Sequence, residues 1–208
     1  MKFTDTITDL AELRALVGAP SELARKKQLD HLDAHCREFV AHAPFLLLGT
    51  ADAAGRCDVS PKGDAPGFVL VLDEHHLVIP DRPGNKRLDG MRNILENPHV
   101  GLIFLVPGRG ETLRVNGRAA ITRDEALLAR MEVGGKRPLL AIGVEVEEVF
   151  MHCAKAFKRS ALWQPAQWPD ISAMASAACV LFEQAKPEGK TLADIERALD
   201  FSYTKTLY

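Results

Sequence analysis

Hydrophobic and polar positions divide this chain into helical ends and a β-rich middle. Asp9-Leu10-Ala11-Glu12 reads as a capping box, the Asp side chain taking an orphan N–H and the Glu reaching back. Gly18-Ala19-Pro20 ends that first helix. Leu23, Leu29, Leu32, Cys36, Phe39 and Val40 form the apolar stripe of a second, longer helix. Lys26, Lys27, Asp30, Asp33 and Arg37 lie mostly off that stripe, on a solvated face. From Phe45 the period changes. Phe45 to Ala51 is a compact apolar run closed by the turn Asp52-Ala53-Ala54-Gly55. Cys57 to Ser60 leads into a Pro61-Lys62-Gly63-Asp64 turn, and 67–73 with 76–80 predicts a hairpin joined at Glu74-His75. A short helix over 87–96 is stopped by Asn97-Pro98. A strand over 99–106 ends at Pro107-Gly108. Another, over 111–122, turns Leu113, Val115 and Ala119 to one side and Thr112, Arg114, Asn116 and Arg118 to the other. The pattern is helical over 124–133, β-rich over 139–153, and helical again over 171–185 and 192–199.

About six strands with irregular spacing and short connections favour a small, mostly antiparallel barrel over a βαβ sheet. The expected class is α+β: mostly β with helical additions, a Greek-key-like barrel. One domain is expected, with a helical extension over 1–43, a barrel core over 44–165 and a helical segment over 166–208. The 208 residues are 47% hydrophobic, enough for one well-formed core. A net charge of −2 argues against a nucleic-acid partner. The longest apolar run, Leu102 to Val106, is strand-sized and argues against a membrane span. Met1-Lys2-Phe3-Thr4-Asp5 is too polar for a signal peptide, so a cytoplasmic location is expected. Cys36, Cys57, Cys153 and Cys179 form no C-x-x-C pair and read as free thiols.

Two stretches carry the chemistry: Cys57-Asp58-Val59-Ser60-Pro61-Lys62-Gly63-Asp64 and Ile79-Pro80-Asp81-Arg82-Pro83-Gly84-Asn85-Lys86-Arg87. Each ends in cations, small donors and glycine, the chemistry that holds a phosphate beside a flat ring. Arg82, Asn85, Lys86 and Arg87 are the phosphate candidates, since a phosphomonoester needs several charge-assisted donors and Arg binds it in a forked manner. A helix starting near Arg87 adds oriented N–H groups and partial positive charge. The plainer readings are a solvated basic turn here and a surface turn at Lys62. For metals, His31 and His35 are four apart but lack an adjacent Glu and a third ligand. His75-His76 reads as a hairpin tip, and adjacent His152 and Cys153 point to opposite faces of a strand. No Gly-x-Gly-x-x-Gly, Walker-type or Gly-x-Ser-x-Gly motif is in a suitable context.

The first stretch is followed in order by the second, by Met91-Arg92-Asn93-Ile94-Leu95-Glu96-Asn97-Pro98-His99-Val100-Gly101-Leu102-Ile103-Phe104, and by Glu111-Thr112-Leu113-Arg114-Val115-Asn116-Gly117-Arg118-Ala119. This ordered set resembles the pyridoxamine 5′-phosphate oxidase-like FMN-binding split-barrel superfamily, in particular its branch of FMN-dependent proteins of unassigned reaction. The late segment from His152 to Trp163 fits the same branch, and the resemblance covers about residues 40 to 165. It implies a split β-barrel homodimer with FMN in each of two interface clefts, both chains contributing to each site. F420 and haem are the alternative cofactors in the superfamily. The resemblance places Val59 and Ser60 at the ring, Ile79 among the cofactor contacts, Lys62 at the flavin's polar edge or phosphate, and Thr112 at the polar edge. It adds Lys155, Arg159 and Trp163, the indole packing along the isoalloxazine and the guanidinium reaching phosphate or ring. The plainer readings are a β-forming Thr112 on an exposed face and a Trp163 that closes the barrel end. Arg114 and Arg118 could equally pair with Glu111 or a partner chain. The oxidase's own C-terminal Trp and Arg motif is not found, so pyridoxamine phosphate oxidation is not expected. The expected function is an FMN-dependent oxidoreductase acting on an unidentified small molecule, with no catalytic residue standing out. The alternative is a non-catalytic flavin- or haem-binding or sensing protein.

Overall fold

A computed structural model of the protein describes residues 3–208. Met1 and Lys2, which begin the polar N-terminus, lie outside the described residues. Seven strands form the barrel: β1 (Phe45–Ala51), β2 (Cys57–Gly63), β3 (Leu70–Val71), β4 (His76–Pro80), β5 (His99–Leu105), β6 (Thr112–Thr122) and β7 (Ala141–His152). They make one antiparallel sheet in the order β2-β1-β5-β6-β7-β4-β3. The period-two pattern supplies its interior: Leu46 and Leu48 of β1, Leu102 and Phe104 of β5, Leu113 and Val115 of β6, and Val144 of β7 are all essentially inaccessible. Each such Leu or Phe stabilises the fold by about 1.5–3 kcal/mol.

The sheet curls without closing. No backbone ladder joins its two edges, β2 and β3, among the described residues; across the gap, side chains link β2 to the chain beyond β4. Lys62 Nζ lies 3.6 Å from Asp81, and Arg82 Nε donates to Asp64 at 2.6 Å. These pairs tie the end of β2 to the chain leaving β4. The architecture is therefore the expected α+β split barrel, and its split lies beside β2.

Three local expectations are corrected, one at that edge and two at the N-terminus. Pro61-Lys62-Gly63 is strand, not turn: Pro61 pairs with Leu47 and Gly63 with Phe45. Proline is tolerated because β2 is an edge strand with a neighbour on one side only. The turn follows it, where Phe68 N donates to Ala65 O and Gly67 takes φ 85°. The long second helix is broken into α2 (Glu22–Lys26) and α3 (Ala34–His42), after α1 (Leu10–Val17). Between them Leu29 exchanges backbone bonds with Val149, and Leu32 N donates to Glu74 O. Asp33 then caps α3 through Cys36 N at 2.7 Å. Leu32, Cys36, Phe39 and Val40 keep their places in the core, whereas Leu23 is exposed. Asp9 caps α1 through Ala11 N and Glu12 N, without the reciprocal Glu12 bond.

The remaining helices are α4 (Asp89–Glu96), α5 (Glu125–Arg130), α6 (Lys155–Ser160), α7 (Ala177–Ala185) and α8 (Leu192–Lys205). α7 starts later than the sequence predicts because Ser176 caps it. α8 begins with a Thr191–Asp194 capping box and runs past residue 199. Among the described residues, no helix is long and apolar enough to cross a membrane.

Candidate functional site

The split leaves a cavity of about 760 Å³ between β2, the loop after β4, the start of α4 and the segment before β7. Five consecutive residues, Asp58 to Lys62, line it. Side chains of one strand face cannot do that alone, so the unpaired edge of β2 fronts the cavity. Opposite stand Arg82, Asn85, Lys86 and Arg87, and Arg137 and Leu139 form a further wall. The structure thus brings together Val59, Ser60, Lys62, Arg82, Asn85, Lys86 and Arg87 from the two stretches that the sequence singles out.

Local chemistry shapes the loop. Pro83-Gly84 follows the strand end, and Asn85 Oδ1 accepts from Arg87 N at 3.0 Å in an Asx turn. Lys86 and Leu88 both adopt left-handed backbone, φ 60° and 61°. For residues with a side chain that conformation costs about 1–2 kcal/mol each. The loop holds it because α4 is fixed against the barrel. Buried Asn93 donates through Nδ2 to Thr50 Oγ1 at 3.0 Å and to Asp58 Oδ2 at 2.9 Å, tying α4 to β1 and β2. α4 begins at Asp89, two residues after the start that the sequence predicts, and its N-cap Leu88 supplies no side-chain bond. The first-turn N–H groups therefore lack a side-chain cap at the cavity wall, beside the first-turn carboxylate of Asp89.

The cations differ in their commitments. Arg87 pairs with Asp89 at 2.7 Å and stays exposed; that hydrogen bond raises its already high pKa. Lys86 is exposed and has no ion pair among the described residues. Arg82 is only 15% exposed, and its partner Asp64 only 2%. Asp64 also accepts from Tyr208 Oη at 2.6 Å and from Ala65 N at 2.8 Å. Burial pushes the Asp64 carboxyl up, but the bonds from Tyr208, Ala65 N and Arg82 outweigh it and hold the group below the usual range. The bond to Asp64 in turn raises the Tyr208 phenol.

Five predicted residues do not join this cavity. Ile79 is fully buried in the barrel core, because β4 has neighbours on both sides and packs inward. Thr112 is buried, not exposed, and opens β6 opposite His152. Lys155 and Arg159 are exposed on α6, which follows the end of β7. Trp163 donates from Nε1 to Arg109 O at 2.7 Å and stacks on Phe157 with centroids 5.5 Å apart. Arg114 pairs with Glu148 at 2.5 Å rather than with Glu111, which Arg109 approaches at 3.6 Å. Arg118 faces His99. His31 lies before α3 against Asp30, so it shares no helical face with His35. His152 packs on Phe150, and burial, then Arg114 and Lys27, lower its pKa. Among the described residues no group of His, Cys, Asp or Glu is arranged to hold a metal ion.

Sequence reasoning missed Asn93, Asp64 and Tyr208. A polar residue inside the apolar stripe of Met91 and Ile94 was a usable signal for Asn93. Tyr208 gave none, since its partner is 144 positions away.

The walls suit a flavin. Val59, Pro61, Leu139 and Ile142 give apolar surface for a flat ring, the β2 edge gives backbone donors and acceptors, and the uncapped helix with Lys86 and Arg87 suits a phosphate. The lining contains neither His nor Cys. Among solved structures, the chain is similar to HupZ of Group A Streptococcus at 18–19% identity, the 19% match having a TM-score of 0.47 over 57% of this chain and 92% of that one. It is also similar to an FMN-binding protein from Syntrophomonas wolfei (12% identity, TM-score 0.43, 56% and 88% covered). A third is HutZ, the haem storage protein from Vibrio cholerae (18% identity, TM-score 0.41, 58% and 93% covered). No curated protein matches the chain. The family model described as pyridoxamine 5′-phosphate oxidase matches residues 32–153, the barrel and both cavity-lining stretches, and the chain belongs to that split-barrel family.

Proposed function

We propose that the cavity binds FMN and that the protein is an FMN-dependent oxidoreductase acting on a small organic molecule. One observation carries the reading. An uncapped helix start flanked by Lys86 and Arg87 adjoins an apolar slot bordered by an unpaired strand edge. A phosphate and a flat polar-edged ring need these two surroundings side by side. Lys86, Arg87 and the α4 N–H groups would hold the phosphate. Ser60, Lys62 and the β2 backbone would meet the ring's polar edge, while Val59, Pro61 and Leu139 shield its faces from water. When bound, the flavin supplies the hydride or electron transfer.

A homodimer belongs to this reading. Val59, Leu88 and Leu139 are 68%, 51% and 87% exposed at the cavity rim, an apolar margin that a second copy would cover. Thr112, Lys155, Arg159 and Trp163 lie off their own chain's cavity, and the same association would offer them to the partner's flavin.

The test is the visible spectrum of freshly purified protein, with mass identification of the released molecule. A two-band flavin spectrum and the mass of FMN are expected, followed by bleaching with a nicotinamide donor and recovery with an acceptor. A Soret band, or colourless protein that takes up no added FMN, overturns the reading. Flavin that binds but never cycles would make the protein a carrier rather than an enzyme.

A further inference from the structure

A second chamber of about 490 Å³ adjoins the first and shares Ser60, Pro61, Lys62, Arg82 and Asn85 with it. Its outer wall is the C-terminal segment, Leu207 and Tyr208. Three elements hold that segment. Asp64 at the end of β2 accepts from the Tyr208 hydroxyl at 2.6 Å. Lys136 Nζ donates to the Tyr208 main-chain oxygen at 2.7 Å. The Arg82 guanidinium lies 5.4 Å from the Tyr208 ring centroid. The chamber's outer wall is therefore held in place by these three contacts.

Arg82 is the group with unspent capacity. Its Nε is committed to Asp64, and neither terminal nitrogen has a hydrogen-bond partner among the described residues. A guanidinium held through Nε presents those two nitrogens as a planar fork, which matches a carboxylate. Asp64 does not compete: one oxygen accepts from Tyr208 and Ala65 N, the other from Arg82. The rest of the lining is mainly apolar, with Phe68, Pro83 and Leu207.

We infer that this chamber is the substrate subsite, that it takes a small organic carboxylate with an apolar body, and that Arg82 anchors the carboxylate. Asp64 and Tyr208 are positioning residues that hold Arg82 in that attitude, and Tyr208 closes the chamber. The inference builds on the flavin reading, since the shared wall puts the substrate's body beside the ring. It removes Arg82 from the phosphate set and leaves that work to Lys86, Arg87 and α4.

Benzoate is a suitable probe, titrated calorimetrically into FMN-loaded protein with flavin retention followed in the same samples. One benzoate per chain is expected, with FMN retained. Arg82→Gln should weaken benzoate at least about tenfold, the loss of a charged hydrogen bond. Tyr208→Ala should weaken it several-fold and leave FMN affinity unchanged. The second variant covers the case in which Arg82→Gln, by orphaning buried Asp64, does not fold. No benzoate binding, or benzoate affinity unchanged from the unmutated protein in Tyr208→Ala or in a folded Arg82→Gln, overturns the subsite. Displacement of FMN by benzoate also overturns it, because the chamber would then belong to the flavin phosphate. Failure of the unmutated protein to take FMN overturns the flavin reading alone, and benzoate titration of the flavin-free protein still decides the subsite.

Discussion

Two groups of residues expected at one flavin meet different fates in the fold. Lys62, Arg82, Asn85, Lys86 and Arg87 converge on one cavity, drawn there by β2 and the loop after β4. Lys155, Arg159 and Trp163 gather around α6, where Trp163 is already engaged by Arg109 O and Phe157. The first group is assembled by short-range structure: an edge strand, an Asx turn and a helix start within about 30 residues. The second lies beyond the end of β7. Within one chain, only the first group lines the cavity. The second group serves either the barrel end or a partner's cavity, and mutation separates these.

The largest effect should come from the assembled cavity. Lys86→Ala combined with Arg87→Ala should weaken FMN about 100-fold, two charged hydrogen bonds at the low end of their range because both side chains are exposed. Arg14→Ala on α1 is the control, since among the described residues that side chain only reaches Gly18 O. Equal FMN affinity in the double variant and the control would dissolve the distinction between the two groups.

Next in size is the α6 group. Arg159→Ala with Trp163→Ala should weaken FMN about tenfold if a partner's cavity uses them. Mixing that variant with the Lys86/Arg87 variant sharpens the comparison. In a mixed dimer with composite sites, one site carries both defects and the other carries none, so one full-affinity FMN per dimer returns. No recovery in mixtures shown to exchange subunits would place the whole site within one chain and leave Trp163 as a barrel-end residue.

Asn93→Ala should act more gently, and on both stability and binding. It removes two hydrogen bonds and leaves buried Thr50 without its donor, costing about 1–3 kcal/mol in a denaturation midpoint. FMN affinity should fall too, because α4 then loses its tie to β1 and β2. A stability loss with unchanged affinity would show that the helix start is not part of the phosphate site.

What the sequence made legible follows the same division. β1, β5 and β6 were readable because each has a period-two face, and the ordered motifs identified the split barrel. The two cavity stretches were readable because their chemistry is contiguous in the chain. The break between α2 and α3 was not, since the apolar stripe persists through it; the long-range bonds of Leu29 to Val149 and Leu32 to Glu74 replace helix there. Proline at 61 suggested a turn because its missing donor is a defect inside a sheet and harmless at an edge, and edge position is a property of the finished topology. Ile79 and Thr112 lie off the cavity for a related reason: their burial depends on which strands flank them.

The smallest expected effect concerns the latch of the second chamber, and it runs with pH. Asp64 titrates below the ordinary carboxylate range in the folded protein, so folding is favoured by its ionised form. That contribution is complete above the unfolded carboxylate pKa near 3.9 and is lost as pH falls through the lower folded value. Tyr208 is shifted the other way, upward, so its contribution is complete below the ordinary phenol pKa near 10 and is lost as pH rises through the raised value. Tyr208→Phe keeps the ring beneath Arg82 and removes the bond to Asp64. It should cost about 1 kcal/mol at neutral pH. It should also make unfolding begin at a higher pH on the acid side, because Asp64 loses one of the donors that depress it. Thermal melts of the two proteins across the acid range measure both quantities. An acid limb that superimposes on that of the unmutated protein would mean the phenol does not hold Asp64 in solution, and the positioning of Arg82 would then rest on Asp64 alone.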